Sequence, residues 1–532
     1  MKDKKVGIIT LALTLIALGM ILTLNNFLVF EMSKVLKVLA ALSIIALGVE
    51  FIFMEWSNRR NEEKVRLKIS GLCIVVLVII YGVSTFIPLG IVINNDNVYF
   101  NGWSLFNHQY EYKFERTYEE DAENLTKFAV KNNYGDIDIV TTETTKVTVN
   151  AMIRIALNED DEAKAEDMAD EIINLKSLGD TVELSATKYY SNTVSIDYII
   201  AVPSSAVTTI SNGNGDIQIK GVKEVAIDNR YGDVVIQDII GKVSLINKNG
   251  HITVKNVGDR LVVENSYGNV EASSIDGDAK IENKNGDIEV EGIKGDLDID
   301  NQYDDIIFRD ITGNVVIEHK NGDILGEQVG KSVEVNTSYS SVSLDNVEGD
   351  VDIETKNEKV TLTNIGGSVV VENEYGKVTG KTIGNDISIK SRNGLIKVED
   401  VKGKVEVESE HDAIELIDID SHIKVIQQYG NVTLENTSGD IDIKNKNGDI
   451  TVKNRNKALK NVDIQNEYGD VTLDIPDKQE GKFTIYTKYG KIKTDKGLSI
   501  SENNSERIIS ETLGSGLNTI SIEAKNGDVT IE

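Results

Sequence analysis

The 532-residue chain has only one cysteine and three prolines. A single cysteine excludes a disulfide framework and any zinc site built from cysteines. Three prolines exclude a proline-rich stalk. Positive charge is also scarce, because 56 Lys and Arg stand against 86 Asp and Glu and leave a formal net charge of −30. This balance argues against nucleic acid as a partner, since phosphate binding needs clustered basic side chains.

Long apolar runs are confined to residues 1–95, which predict a transmembrane region of about three helices, at 6–26, 36–54 and 69–93. Each run is long enough to cross a hydrocarbon core of about 30 Å at about 1.5 Å per residue. Basic residues precede the first run and fill the loop between the second and third. The positive-inside rule therefore predicts a cytoplasmic N-terminus and an extracytoplasmic body.

Two features near the predicted membrane leave alternatives open. Glu50 falls at the end of the second run, where an interfacial carboxylate is expected and a buried functional one is the alternative. Residues 96–124 are aromatic and then acidic. They predict either an interfacial anchor or the first strands of the outer domain.

Glycine is abundant, with 43 residues, and from residue 211 onward it recurs on an 18-residue grid. The grid glycines are Gly232, Gly250, Gly268, Gly286, Gly322, Gly376, Gly394, Gly430 and Gly448. Between them apolar and charged residues alternate, which predicts short strands with one buried face. We therefore predict an all-β repeat over 211–476. A β-rich part with a helix near 159–175 precedes it over 125–210, and irregular coils with a cap follow over 477–532.

A longer period of 36 residues overlies the grid, because the residue before each grid position alternates between Tyr and Asn. Like side chains stack well as ladders, so this alternation predicts a β-solenoid with a 36-residue coil of about four strands. In such a coil Tyr stacks on Tyr. A meander of hairpins is the alternative, since Asn-Gly is a strong hairpin turn.

The repeat resembles the bacterial "putative adhesin" family of extracytoplasmic β-strand-repeat domains, whose function is unknown. The resemblance lies in NNYGDIDI at 132–139, YIIAVPSSAVTTISNGNGDIQI at 198–219, and the recurrent NGDI and YGDV. The hydropathy of the N-terminal region resembles LiaF-like proteins of Gram-positive envelope-stress systems. Together these resemblances imply a membrane-anchored surface protein with a right-handed β-solenoid-like (β-helix-like) ectodomain. They contribute no catalytic residues.

The candidate site is a ladder of tyrosines: Tyr231, Tyr267, Tyr303, Tyr339 and Tyr375. It predicts either an aromatic strip on which sugar rings or a partner stack, or a cover for the turn edge of the coil. The intervening asparagines (Asn249, Asn285, Asn321, Asn357, Asn393) are expected to form a hydrogen-bonded stack that satisfies backbone groups of the turns. The basic residues before them (Lys248, Lys284, Lys320, Lys356, Arg392) are expected to offset nearby carboxylates, with anionic-polymer binding as the alternative.

Aspartates that follow the turn glycine are expected to cap turns rather than bind calcium, because calcium-binding solenoids need a nine-residue spacing. The histidines show no metal-ligand spacing, and no nucleophile or phosphate-binding motif is present. The repeat slips around Glu410, His411 and Asp412, which is the best place for a site if repeat drift does not explain it. No catalytic, metal or cofactor residues are predicted.

These features predict a non-enzymatic, membrane-anchored cell-envelope protein whose solenoid is an adhesin-like, scaffolding or stress-sensing surface. The expected partners are the membrane itself, envelope polymers and other membrane or envelope-stress proteins. The alternative is a carbohydrate-active β-helix enzyme acting on an envelope polysaccharide.

Overall fold

The computed structural model describes residues 3–6, 10–15, 17, 42–43, 46–47, 49–50, 54, 66–69, 92–94, 97–100, 103–104, 110–186 and 193–532. Most of the predicted membrane helices 6–26, 36–54 and 69–93 lie outside these residues. Within the described residues, no helix has the length and apolar character needed to span a membrane. The chain divides into one compact unit of Met1–Lys113, Arg154–Ala169 and Tyr190–Val194, and a second of Phe114–Ile153, Asp170–Tyr189 and Ser195–Glu532.

The described part of the N-terminal region contains short strands as well as helical residues. Asp3–Val6 (β1) pairs in parallel with Arg66–Ile69 (β2). Val92–Asn94 (β3), Asn97–Phe100 (β4) and Trp103–Ser104 (β5) form an antiparallel sheet. Residues 10–15, 17, 42–43, 46–47, 49–50 and 54 are helical. Val6, Ile69 and residues 92–93, which the sequence assigns to the ends of apolar spans, are therefore in strands.

Glu50 is buried in this region, at 8% exposure. Its Oε2 accepts hydrogen bonds from the backbone N–H of Thr10 at 2.8 Å and from the Thr10 hydroxyl at 2.7 Å. One turn further on, the Thr14 hydroxyl donates to Ser43 Oγ at 2.9 Å. The carboxylate therefore connects two helical segments through buried polar contacts, which compensate part of the cost of burying it.

The chain next forms the strands Tyr110–Asp121 (β6), Lys127–Lys131 (β7), Ile137–Thr142 (β8) and Lys146–Leu157 (β9). The helix Glu162–Ile172 (α1) follows, within the predicted range 159–175. After it come Ile173–Leu178 (β10), Thr181–Ala186 (β11) and Val194–Pro203 (β12).

Fifteen successive coils follow, and each consists of one strand in a first sheet and one in a second sheet. In chain order the paired strands are Val207–Asn214 (β13) and Ile217–Lys220 (β14), Glu224–Tyr231 (β15) and Val234–Ile239 (β16), Val243–Asn249 (β17) and Ile252–Val257 (β18), Leu261–Glu264 (β19) and Val270–Ile275 (β20), Ala279–Asn285 (β21) and Ile288–Ile293 (β22), Leu297–Tyr303 (β23) and Ile306–Ile311 (β24), Val315–Asn321 (β25) and Ile324–Val329 (β26), Val333–Asn336 (β27) and Val342–Val347 (β28), Val351–Thr355 (β29) and Val360–Ile365 (β30), Val369–Tyr375 (β31) and Val378–Ile383 (β32), Ile387–Asn393 (β33) and Ile396–Val401 (β34), Val405–Ser409 (β35) and Ile414–Ile419 (β36), Ile423–Tyr429 (β37) and Val432–Glu435 (β38), Ile441–Asn447 (β39) and Ile450–Lys453 (β40), and Val462–Tyr468 (β41) and Val471–Asp474 (β42). The C-terminal strands are Gly481–Thr487 (β43), Ile492–Thr494 (β44), Ser501–Asn503 (β45), Glu506–Leu513 (β46), Thr519–Asn526 (β47) and Val529–Ile531 (β48).

Consecutive coils stack in parallel at a register of 18 residues, as in Val243 opposite Leu261 and Ile252 opposite Val270. The predicted β-solenoid is therefore confirmed, and the parallel pairing rules out the hairpin meander. The expected 36-residue coil with Tyr stacked on Tyr is wrong, because Tyr231 lies opposite Asn249. The buried positions that define the stack repeat every 18 residues, whereas the 36-residue period comes from side chains on the exposed edge.

Each coil closes around a narrow aliphatic core. In a representative coil Val243, Leu245, Ile252, Val254 and Val257 are at most 1% exposed. Burying an aliphatic side chain of this kind stabilises the fold by roughly 1.5–3 kcal/mol. The alternation of apolar and charged residues along each strand therefore supplies the core, and the charged residues lie on the outer faces of both sheets.

A left-handed residue bends each second-sheet strand before its last buried position. The residues in this slot are Asp238, Asn256, Ser274, Asp310, Gln328, Asn346, Asn364, Thr382, Asp400, Asp418 and Asn436, all with φ between 54° and 59°, and Gly292 with φ 71°. Two neighbouring side chains consequently point outward, and the next one, such as Val257, returns to the core. Asn, Asp and Gly tolerate this conformation best, which explains their frequency here.

The turn from the first to the second sheet requires glycine for two reasons. The grid glycines adopt φ between 119° and 144°, a region that other residues avoid. A Cβ on Gly268 would also collide with the carbonyl group of Gly250 in the preceding coil. Asp304 and Asp412 occupy the same slot with φ 75°.

The end coils do not follow chain order. The strand β47 lies between β41 and β43, and β48 lies between β42 and β44. At the other end β7 lies between β11 and β13, and β8 lies between β12 and β14. The first sheet then ends in antiparallel strands, β10 on β11 and β46 on β43. Such pairing covers sheet edges that would otherwise template aggregation.

The glycine turn leads to a first prediction. Gly268→Ala should destabilise the solenoid by about 2–4 kcal/mol, because it combines backbone strain with a clash against the coil beneath. The measurement is the urea midpoint followed by far-UV circular dichroism. Gly380→Ala is the matched control, since Gly380 lies in a strand and its nearest neighbour would be a side-chain atom at 3.4 Å. Equal midpoints for the two variants would contradict this account of the turn.

Candidate binding surface

The turns that join the first sheet to the second form one continuous edge of the solenoid, here called the tyrosine edge. The five predicted tyrosines (Tyr231, Tyr267, Tyr303, Tyr339, Tyr375) all lie on it and are 42–58% exposed. Strands in neighbouring coils are about 4.8 Å apart, so tyrosines in alternate coils are about 9.6 Å apart. The structure therefore brings the predicted ladder onto one surface, with an asparagine between successive rings.

The alternation of Tyr and Asn continues beyond the predicted ladder, and it follows space rather than sequence. Along the chain the last members are Asn447, Tyr468, Tyr489 and Asn526, which breaks the pattern. In the structure Asn526 lies opposite Tyr468, and the backbone N–H of Tyr489 bonds to the next coil at the residue before Asn526. The spatial order is therefore Asn, Tyr, Asn, Tyr.

The N-terminal end of the edge shows the same behaviour. Tyr134 lies opposite Asn214, which in turn lies opposite Tyr231, although about 80 residues separate the first two along the chain. A simple duplication of 36 residues would reproduce the alternation in sequence without regard to this threading. The pattern is thus a property of the assembled surface.

Alternation is not required by the size of the rings. His411 and Tyr429 occupy adjacent coils and stack with their centroids 5.2 Å apart and their planes inclined by 14°. Two rings therefore fit in consecutive coils on this edge. Crowding alone does not explain why an asparagine separates the other tyrosines.

A ladder of buried amides lies directly beneath the edge, three residues before each turn glycine. Its asparagines are Asn132, Asn212, Asn229, Asn247, Asn265, Asn283, Asn301, Asn373, Asn445 and Asn466, each at most 5% exposed. Asn283 shows the pattern, because its Nδ2 donates to the carbonyl groups of Gly286 in its own coil at 3.2 Å and Gly268 in the preceding coil at 3.1 Å. These bonds satisfy carbonyls that the turn removes from the sheet.

The predicted amide stack was therefore assigned to the wrong asparagines. Those on the edge are exposed or half-buried, and Asn357 donates to the carbonyl of Ser338 at 3.2 Å. The regular ladder lies two residues earlier. The recurrent motif Asn-x-(Tyr or Asn)-Gly carries the signal for it, but alternation in a strand does not show which polar residue points inward.

Aspartates after the turn glycine form a second ladder, as expected for turn capping. Asp216 Oδ1 accepts from the backbone N–H of Asp233 at 2.8 Å, and Asp233 Oδ1 accepts from His251 at 2.7 Å. The same slot holds Asp136, Asp287, Asp305, Asp323, Asp449, Asp470 and Asp528. Each carboxylate thus receives a backbone donor of the next coil. No group of three or more metal-ligating side chains occurs within the described ranges.

The slip around residues 410–412 has ordinary structural contacts. Asp412 Oδ2 accepts from the backbone N–H of Gly394 at 2.8 Å, and His411 stacks on the next coil. Glu410 lies 3.6 Å from Arg392, which helps to raise the pKa of that guanidinium together with a hydrogen bond from Tyr375 as the largest cause. The geometry therefore shows a structural role for each member of the slip.

The fold and this surface define a class of protein, a β-solenoid with two strands per coil and an aromatic edge. Residues 336–532 match the model of the family described as Toastrack DUF4097, so the predicted resemblance to a "putative adhesin" β-repeat family is confirmed for that segment. No curated protein sequence matches the chain.

Two solved structures are similar at low identity. One, from Clostridium sporogenes and described as a "putative cell adhesion protein", is 9% identical, with 79% of this chain and 99% of that chain covered and a TM-score of 0.14. The other, a "putative adhesin" from Bacteroides fragilis, is 14% identical, with 55% and 97% covered and a TM-score of 0.17. With scores this low, the fold assignment rests on the strand register described above.

His319 replaces asparagine in the amide ladder and leads to a second prediction. It is 5% exposed, and its Nδ1 lies 3.0 Å from the carbonyl oxygen of Asn301. Burial lowers the pKa of His319, against an opposing effect of hydrogen bonds to backbone groups. Because the folded-state pKa is depressed, stability is complete above the unfolded value of about 6.5 and falls as the pH decreases toward the folded value.

His319→Asn should therefore lose less stability than the wild type between pH 7 and pH 5, because it removes this proton-linked cost and restores the ladder amide. The measurement is the urea midpoint at each pH. His251→Asn is the control, since His251 is exposed and its acceptor role toward the Asn269 N–H at 3.1 Å is kept by asparagine. An unchanged pH dependence in His319→Asn would contradict the assignment.

Proposed function

We propose that the protein is a non-enzymatic, membrane-anchored protein of the bacterial cell envelope. Its extracytoplasmic solenoid binds an extended polymer along the tyrosine edge, in an adhesin-like, scaffolding or sensing role. The charge-free runs at 6–26 and 69–93 and the basic loop before the third run support the anchor and its orientation. The LiaF-like hydropathy supports contact with other membrane proteins.

The observation that carries the binding proposal is the spatial alternation of Tyr and Asn. It persists where the chain leaves its sequential order, and the stacked pair His411 and Tyr429 shows that packing does not demand it. Exposed tyrosines supply large, rigid contact area at low cost in side-chain entropy. The edge runs through about seventeen intervals of about 4.8 Å, so it suits a long ligand with a regular repeat better than a compact one.

A chain of sugar rings fits this surface, since the rings can lie on alternate tyrosines while intervening Asn amides bond to hydroxyl groups. The polysaccharide-cleaving alternative needs a carboxylate free to act as acid or base. Asp412, the residue first considered for it, accepts a backbone hydrogen bond instead. Binding without cleavage is therefore the function that the geometry supports best.

Removing three rings should weaken binding to the envelope polymer. The triple variant Tyr231→Ala, Tyr267→Ala, Tyr303→Ala should lose at least about ten-fold in affinity, since a well-packed interface aromatic contributes about 1 kcal/mol or more. The measurement is co-sedimentation of the full-length protein with purified cell-wall sacculi that retain their polymers. The control combines Ile240→Ala and Leu517→Ala, which remove apolar side chains that are 62% and 84% exposed but do not belong to the ladder.

Unchanged binding of the triple variant would contradict the proposal, and so would release of reducing ends from the sacculi by the wild type. Orientation is tested in the same strains with alkaline phosphatase fused after Glu532. The fusion should be active, because the enzyme folds only outside the cytoplasm. An inactive fusion with a correctly inserted chain would place the solenoid inside.

A further inference from the structure

The acidic ladder beside the tyrosine edge is interrupted in one window. From residue 341 to 431, six consecutive coils lack a carboxylate in the slot after the grid position and carry Ser341, Lys359, Lys377, Leu395, Ala413 and Asn431 instead. The glycine itself is replaced at three grid points around this window, at 340, 358 and 412. Breaks in an otherwise consistent repeat are where a functional requirement is expected to override the structural rule.

Two like charges are stacked in the middle of this window. The carbonyl of Lys359 accepts from Val342, and that of Lys377 accepts from Val360, both at 2.9 Å, so the lysines occupy the same position in adjacent coils. Their Cα atoms are therefore about 4.8 Å apart. Both side chains are exposed, and neither forms an ion pair within the part of the chain that the structure describes. Like charges at directly opposite positions destabilise a sheet, so this pair has a cost that the fold does not recover internally.

The lysine pair adjoins the rings of the edge. Lys359 follows Asn357 by two residues, and Lys377 follows Tyr375 by two. Lys356 and Arg392 extend the basic group on the other side of the edge, and Arg392 hydrogen-bonds to Tyr375. Cationic side chains therefore flank an exposed ring on both sides, in a body with a net charge of −30.

We propose that this window, bounded by Tyr339 and Tyr375, is the subsite for the charged groups of an acidic polysaccharide. The sugar rings lie on the two tyrosines, and the carboxylate or phosphate groups of the polymer bind Lys359 and Lys377. The remaining edge is lined by aspartates and repels such groups, so the window fixes the position of the polymer along the edge. This inference rests on the tyrosine edge being a binding surface and adds the chemical class of its ligand.

Three probes separate charge from ring, with the full-length protein immobilised and binding followed at low and at physiological ionic strength. Polygalacturonate carries rings and charge, dextran carries rings only, and polyphosphate carries charge only. The wild type should bind polygalacturonate most tightly, with an affinity that decreases as salt increases. Lys359→Glu with Lys377→Glu should weaken that binding at least ten-fold and leave dextran binding unchanged.

The matched control is Lys223→Glu with Lys331→Glu, which makes the same charge change on the opposite turns of the coil and should leave polygalacturonate binding unchanged. Tyr339→Ala with Tyr375→Ala should weaken binding of polygalacturonate and of dextran. If the tyrosine variant loses both ligands while the lysine variant keeps polygalacturonate, the window inference fails and the proposed function survives. If neither variant changes binding, or polyphosphate binds as tightly as polygalacturonate, the subsite for an acidic polysaccharide is wrong.

Discussion

The whole solenoid depends on how closely each turn approaches the carbonyl group of the coil beneath it. A turn glycine such as Gly250 leaves no room for a Cβ and adopts a φ that only glycine tolerates readily. This approach allows the backbone N–H of the next coil to bond across the turn, as Gly250 does to Tyr267 at 2.9 Å. The 18-residue register of both sheets follows from it, because the coil can close only where that contact is made.

Polar ladders then complete the hydrogen bonding that the turn disturbs. The buried amide of Asn283 bonds to carbonyls of two coils, and the carboxylate of Asp216 receives a backbone donor of the next coil. Unsatisfied backbone groups in a buried turn would each cost about 1–3 kcal/mol. Conserving the backbone contacts with short polar side chains leaves the position before the glycine free of structural duty. That freedom is what makes the tyrosine edge available for binding.

Part of this architecture could be predicted from the sequence. The glycine grid and the two-residue alternation predicted a β-solenoid, and the exposed tyrosines predicted a surface ladder, because these signals are local. The coil length was mispredicted because the Tyr and Asn alternation has twice the period of the buried residues. The inward position of Asn283 and the insertion of β47 between β41 and β43 were also missed. A polar residue at a strand end does not reveal its direction, and local sequence does not specify which parallel strands are neighbours.

The 18-residue register can be tested directly by cross-linking in a Cys73→Ser background. Cysteines at Thr253 and Glu271 lie opposite each other in adjacent coils, at a Cα separation of about 4.8 Å that a disulfide can bridge. Cysteines at Thr253 and Glu289 are two coils apart, at about 9.6 Å, beyond the reach of a disulfide. Oxidation of the full-length protein should cross-link the first pair within one chain and leave the second pair as free thiols. Cross-linking of the second pair and not the first would contradict the two-strand coil.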